Sequence, residues 1–599
     1  VFAQAHAGGD TNASAHDQSQ ARVRRGGHTK MQLPGQLIIW NLTMNRLAVL
    51  ICLMIQYDVG LSQKKPSNAK LIEQSFFRII PGDSIAFTKI FSSSIAEKTI
   101  IGFGEATHGT REFRQGFVKM AKDLIQHGGI NVVLLGECGF SDTYYLNEFV
   151  VYGRECPLKF NKNQSVIDED FKDFAVWLRN YNNQLKESDR VWLLGSDILF
   201  LNSVSQDVLT LSDELNIKLS GTALAMLNEF TFIGDQYKRD YFDHRVLRNM
   251  TQTADSIIKQ VTAATAKTRL SFRQNYLLQS TSNLKSSIQI SEWMSNYSIP
   301  RFGNAYNERD SCIFKNIQWV LAMKPNAKII LFAQNAHIEK DYGNISLKMN
   351  VRLGHLLKAK LGQEYFAIGT EVGRGEFVYK GKISERKDRI GNFFHEAGLG
   401  EGVLLFNQPQ LNKQFSRKYT MTYGNSGART ANIAYYNNTS AAYDAIYYFP
   451  NSTLSTPLAS RDPFEDFILT VPMGSSHHLK FGIHRRFILK VKSEFVLENN
   501  PCDGKSISLS VLFLSKEGKL TDFASLRLSS GQTGEYRFKI PANAESALVT
   551  IAGRGVQSIN ISKFEIDGIG MDPEEAQFSA KQYNRRNLTG EIMITRKGM

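Results

Sequence analysis

Four times along this 599-residue chain an unbroken apolar run stops on a carboxylate or an imidazole. TIIGFG (99–104) leads into Glu105 and, three residues on, His108; NVVLLG (131–136) leads into Glu137. VWLLGS (191–196) leads into Asp197, and KIILFAQNA (328–336) into His337. Apolar runs without polar alternation belong to strands buried on both faces, as in a parallel sheet between helices. In such sheets ligands bind beyond the carboxyl ends of the strands. Five ionisable groups far apart in sequence are therefore expected to converge on one rim.

The rest of the chain fits an α/β class, with a parallel-type sheet flanked by helices. EYFAIGT (364–370), GVLLF (402–406) and DAIYYF (444–449) read as further strands. After His108, the residues Phe113, Phe117, Met120, Ala121, Leu124 and Ile125 share one helical face, and Gly128 with Gly129 supplies a stop. The spacing predicts a catalytic domain over 64–450, with a polar helical insertion at about 205–300. That insertion reads equally as packing helices or as a wall over the strand ends. Beyond 455 the pattern changes to short β runs such as RRFILKVKSEFVL and SISLSVLFLS, separated by turn residues. This predicts a smaller all-β, sandwich-like domain over 455–572 and a polar tail at 573–599.

Residues 1–63 read as an N-terminal extension and signal peptide. Arg46 gives a basic start, Leu47 to Ile55 an apolar stretch, and Gly60 and Ser62 small residues suited to cleavage before Gln63. The stretch is too short to span a bilayer stably, so an exported protein, periplasmic or secreted, is expected. The net charge of +14 is diffuse, which favours anionic surfaces. Zinc-finger spacing, RNA-binding signatures and basic helices are absent, so nucleic acid is not an expected partner. Past the leader, Cys138, Cys156, Cys312 and Cys502 have irregular spacing without a CxxC pair. Export permits disulfides, and Cys138 and Cys156 are the nearest pair, but a domain of this size does not need one.

The chemistry is concentrated in GFGEATHGTREF (102–113). Glu105 and His108 fall in the turn from strand to helix, where Gly104 and Gly109 allow close backbone approach. An imidazole beside a carboxylate is a sound general base near neutral pH. Equally, His108 is able to cap the helix while Glu105 accepts from backbone amides. Glu137 is placed to orient an imidazole or hold water, and His337 to donate to an oxyanion. Asp197 reads first as structural. GxSxG and HExxH motifs are absent. His477, His478 and His484 cluster in a β-rich segment without acidic neighbours and read as ordinary surface or core residues.

These segments together resemble the erythromycin esterase family. GEATHGTREF, LLGECGF, LLGSDI, RDSCIFKNIQWVL, NAHIEK and LGHLLKAKLGQEYFAIGTEVGRGEF look like its blocks in the same order, over roughly 95–450. The resemblance implies a carboxylic ester hydrolase, with His108 activating water, Glu105 and Glu137 as essential acids, and His337 as the second histidine. It implies a small-molecule ester or lactone substrate, a macrolide among them and antibiotic resistance as a role, and no metal or other cofactor. Arg111 and Asp197 are the residues expected at the substrate. The family often carries a base nine positions after the first histidine; here that position is Phe117, and Arg111 and Arg114 lie nearby. Two other readings stay open. Glu105, His108, Glu137 and His337 form a plausible divalent-metal set. Alternatively the protein is a non-catalytic envelope or glycan binder acting through its C-terminal domain.

Overall fold

The computed structural model describes Ile72, Ser75 and most of residues 76–456, with its longest breaks at 155–167, 228–243, 342–350 and 424–431; beyond 456 it describes strand backbone alone. The expected signal peptide, Cys156, Cys502, His477, His478 and His484 lie outside the described residues.

The apolar runs form the middle of a nine-stranded sheet. Its strands are β1 (Phe76–Arg78), β2 (Ile100–Glu105), β3 (Val132–Gly139), β4 (Trp192–Asp197), β5 (Ile329–Gln334), β6 (Tyr365–Phe377), β7 (Gly381–Lys382), β8 (Gly402–Leu405) and, past a separate two-stranded ribbon of β9 (Tyr419–Tyr423) and β10 (Asn432–Tyr436), β11 (Ala445–Ser452). The order is β1-β8-β11-β6-β2-β5-β3-β4, with β7 folding back on β6. From β11 to β4 every pair is parallel. At the other edge β8 runs antiparallel to both β11 and β1, so the expected parallel-type sheet is corrected to a mixed one. The four-residue β8 shows nothing in its own sequence that reveals its direction; a reversed strand at the rim of a parallel sheet is a common arrangement.

Helices cover this sheet. Helix α1 (Arg111–His127) buries the predicted face, and its Phe117 ring lies 4.8 Å from Phe332 of β5 and 5.5 Å from Phe103 of β2. Phe171 of α2 (Glu169–Asn182) joins the same cluster, 5.5 Å from Phe332. Each such ring taken from water contributes about 1.5–3 kcal/mol, so this patch holds the helices to the centre of the sheet. Between β4 and β5 the chain forms α3 (Leu201–Glu214), α4 (His244–Thr265), α5 (Phe272–Ser295) and α6 (Ile299–Met323). Two polar anchors tie them to the end of β4. Ser287 Oγ of α5 donates to Ile198 O at 2.7 Å, and Asn316 Nδ2 of α6 donates to Ser196 O at 2.8 Å. Helix α7 (Leu353–Leu361) follows β5 and precedes β6.

Between Phe467 and Arg596 the strands pair into two further five-stranded sheets, antiparallel throughout. The last two strands, Tyr583–Arg586 and Ile592–Arg596, fall where a polar tail was expected.

Candidate active site

Parallel direction places the ends of β2, β3, β4 and β5 on one rim. Side chains tie the ends of β2 and β5 to the middle of β6. Asn335, just past β5, donates to Thr370 O of β6 at 2.9 Å and accepts from Thr370 N at 3.0 Å. Thr370 Oγ1 in turn accepts from Ala106 N, just past β2, at 3.0 Å. Gly104 is required here, because a Cβ would sit 2.1 Å from Asn335 Oδ1. Gly109 then turns the chain into α1 with φ at +67°, a conformation glycine adopts without strain.

The result brings four of the six expected site residues together. Glu105 is fully buried, and its Oε1 lies 2.5 Å from His108 Nδ1. That contact directs His108 Nε2 toward Glu137, 3.8 Å from Oε1. His337 Nε2 approaches the same Glu137 oxygen from another side at 3.7 Å, and Nη2 of Arg309 at 3.6 Å. Glu137 Oε2 accepts from Gln334 N at 3.1 Å, which fixes the carboxylate on the end of β5. His337 Nδ1 meets Asp310 Oδ1 at 2.8 Å. Two imidazole–carboxylate pairs thus present their Nε2 atoms to one carboxylate oxygen.

Asp197 and Arg111 are placed differently. Asp197 is fully buried, and both its oxygens face Arg309, with Nη2 at 2.6 Å and Nε at 3.0 and 3.2 Å. Its oxygens are thus engaged by Arg309 and by Ile198 N. Arg111 is half exposed at the start of α1 and lies 3.6 Å from Asp170, outside the cluster. Arg114 is buried behind Glu105, with Nη2 3.8 Å from Glu105 Oε2 and Nε 3.1 Å from Asp168 Oδ2. Phe117 belongs to the core, and Arg309 from α6 lies beside His337, with Nη1 3.5 Å from its Nε2.

Charge sets the protonation states. Burial by itself would lower the pKa of His108, but the Glu137 and Glu105 carboxylates outweigh it and raise the pKa above its ordinary value. Burial would raise Glu137; the charges of His108, His337 and Arg309 reverse this and hold it below the usual carboxylate range. Asp310 is likewise lowered against its burial, chiefly by His337. Arg309 is desolvated, yet Asp197 keeps it firmly protonated.

Arg309 and Asp310 open the block RDSCIFKNIQWVL, whose sequence alone gives them no role. A signal was present. Ile313, Asn316, Ile317 and Val320 form the buried stripe of α6, and Arg309 extends that stripe one turn toward the N-terminus. A guanidinium in line with an apolar stripe must have a buried anionic partner.

Comparison with known proteins adds a family and a fold. The family model described as Erythromycin esterase matches residues 125–452. That span contains Glu137, Asp197, Arg309, Asp310 and His337, while Glu105 and His108 precede it. No match is found among curated proteins. Among solved structures, a succinoglycan biosynthesis protein is 15% identical with a TM-score of 0.55, over 66% of this chain and 99% of that one. A Bacillus cereus protein is 17% identical with a TM-score of 0.53, over 65% of this chain and 98% of that one. A mutant of the erythromycin esterase EreC in its open conformation is 15% identical with a TM-score of 0.43, over 61% and 94%. At these identities the first two show a shared fold.

Proposed function

The chain belongs to the erythromycin esterase family, and on that premise we propose that it hydrolyses an ester or lactone with His108 as the general base. One observation carries the reading. His108 Nε2, His337 Nε2 and Arg309 Nη2 all face Glu137 Oε1 at 3.6–3.8 Å. These separations exceed direct hydrogen bonds and suit bridging by a water or substrate oxygen. In the proposed reaction water bound at His108 gives its proton to Nε2 as its oxygen attacks the carbonyl carbon. Glu105 holds the ring through Nδ1 and stabilises the imidazolium. Arg309, beside His337, offers N–H groups to the tetrahedral oxyanion. The ester C–O bond then breaks, and the proton on His108 passes to the leaving alkoxide, returning the base.

A divalent cation is the second reading. Glu105, His108 and Glu137 offer ligand atoms within 4.8 Å of one another. Arg309 opposes it, because a guanidinium beside the same carboxylate makes additional positive charge costly. The deciding experiment measures turnover of macrolide and aryl esters by the purified chain from Gln63 onward, before and after exhaustive chelation, beside His108→Ala. Turnover that survives chelation and disappears in the variant is the expected result. Loss on chelation with recovery on adding a metal ion would replace the general-base reading by the metal one.

The proposal includes export, carried by the sequence at 44–62 alone. It also takes the two antiparallel C-terminal sheets as a sandwich-like domain that contacts envelope polymer or glycan. Macrolides are one substrate within the proposed class.

A further inference from the structure

Four arginines are buried among the described residues: Arg114, Arg309, Arg352 and Arg389. Three have carboxylate partners. Arg114 has Asp168 and Glu105, Arg309 has Asp197 and Glu137, and Arg389 has Glu371 at 2.7 Å. Arg352 is 5% exposed, yet it forms neither a hydrogen bond through its side chain nor an ion pair with any described residue. None of its nitrogens is among the fully sealed, unsatisfied atoms, so the surface it retains includes its charged end. A guanidinium taken from water without a hydrogen-bonded partner is costly. An anion arriving from outside relieves that cost.

The backbone fixes where this charge lies. Val351 N donates to Asn307 Oδ1 and Leu353 N to Asp310 Oδ2, both at 3.0 Å. Arg352 is therefore held against α6, on the stretch that carries Tyr306, Arg309 and Asp310. Its charge is felt at Asp310, Tyr306 and Tyr423, and the two tyrosines also feel Glu137 and Arg309. Arg352 thus lies next to the stretch of α6 whose Asp310 meets His337 Nδ1 at 2.8 Å. Burial raises both phenols, Tyr423 to about 12, so they remain neutral.

Resting on the hydrolase reading above, we infer that Arg352 forms a subsite for a carboxylate of the substrate, so a monoanionic ester is preferred to its neutral counterpart. Guanidinium binds carboxylate through two parallel N–H···O contacts. A dianionic phosphate suits the place less well, because Asp310 and Glu137 already supply negative charge nearby.

The test compares mono-4-nitrophenyl glutarate with its neutral methyl ester, using the full chain, Arg352→Gln and Arg352→Lys, with thermal melts to verify folding. The expected result is a preference for the anionic ester that falls about tenfold or more in Arg352→Gln, through KM rather than kcat. Lysine is expected to restore part of it. Calorimetric binding of glutarate is measured separately and is expected to be lost in Arg352→Gln. Hydrolysis of both esters without preference, together with no glutarate binding, would overturn the subsite and leave the hydrolase reading standing. Glutarate binding that depends on Arg352, without turnover of either ester, would support the subsite and remove the hydrolase reading.

Discussion

The two imidazole–carboxylate pairs beside Glu137 are assembled in opposite ways. Glu105 and His108 stand three residues apart in one strand-to-helix turn, and the turn itself sets their contact. His337 follows β5, whereas its partner Asp310 and the adjacent Arg309 come from α6, which is anchored to the end of β4. The first pair depends on local geometry, and the second on the docking of a long helix. Damage to the first is expected to affect chemistry, and damage to the second to affect chemistry and stability together.

The largest expected effect separates the pairs by function. His108→Ala is expected to reduce turnover about 10²- to 10⁴-fold, the usual range for a general base, while the urea midpoint stays near wild type. Retained turnover in a folded variant would remove His108 from its role. Asp197→Ala tests the docked half, since it leaves Arg309 buried without its closest partner. Breaking a buried pair costs about 3–5 kcal/mol, to be read from urea unfolding; an unchanged midpoint would mean that Arg309 is not held as the geometry implies.

A smaller effect is expected from Asp310→Asn, which leaves His337 in place but weakens its orientation. A loss of about ten- to a hundredfold in kcat, as for other supporting groups around a reactive centre, is the expected outcome, and an undiminished kcat would make Asp310 purely structural. The smallest effect is a shift in pH dependence. His108 must be neutral to accept a proton, so the rate rises with pH through its pKa, which stands above its ordinary value. Glu105 is one of the charges that raise it, after Glu137. In Glu105→Gln that limb is expected to move to lower pH; movement to higher pH would contradict the electrostatic account.

Much of the fold was legible because continuous apolar runs have few alternatives to buried parallel strands. Glu105, His108, Glu137 and His337 were legible for the same reason, since each follows such a run. The reversal of β8 was not legible, because four residues buried on both faces read the same in either direction. Asp197 read first as structural, but its partner Arg309 was not legible. A carboxylate at a strand end looks identical whether it faces solvent or an arginine from a helix more than a hundred residues away.

The amino-acid sequence by itself determined the central strands, their ionisable ends and the Glu105–His108 turn, because periodicity and short spacing act over a few residues. Tertiary structure decided that Arg309 stands beside His337, that Asp310 meets His337, and that Arg352 is held against α6 near Asp310 without a side-chain hydrogen bond to any described residue. Those outcomes depend on where α6 and α7 pack. Charge pairing across a packed interface depends on distance in space, which sequence separation does not record.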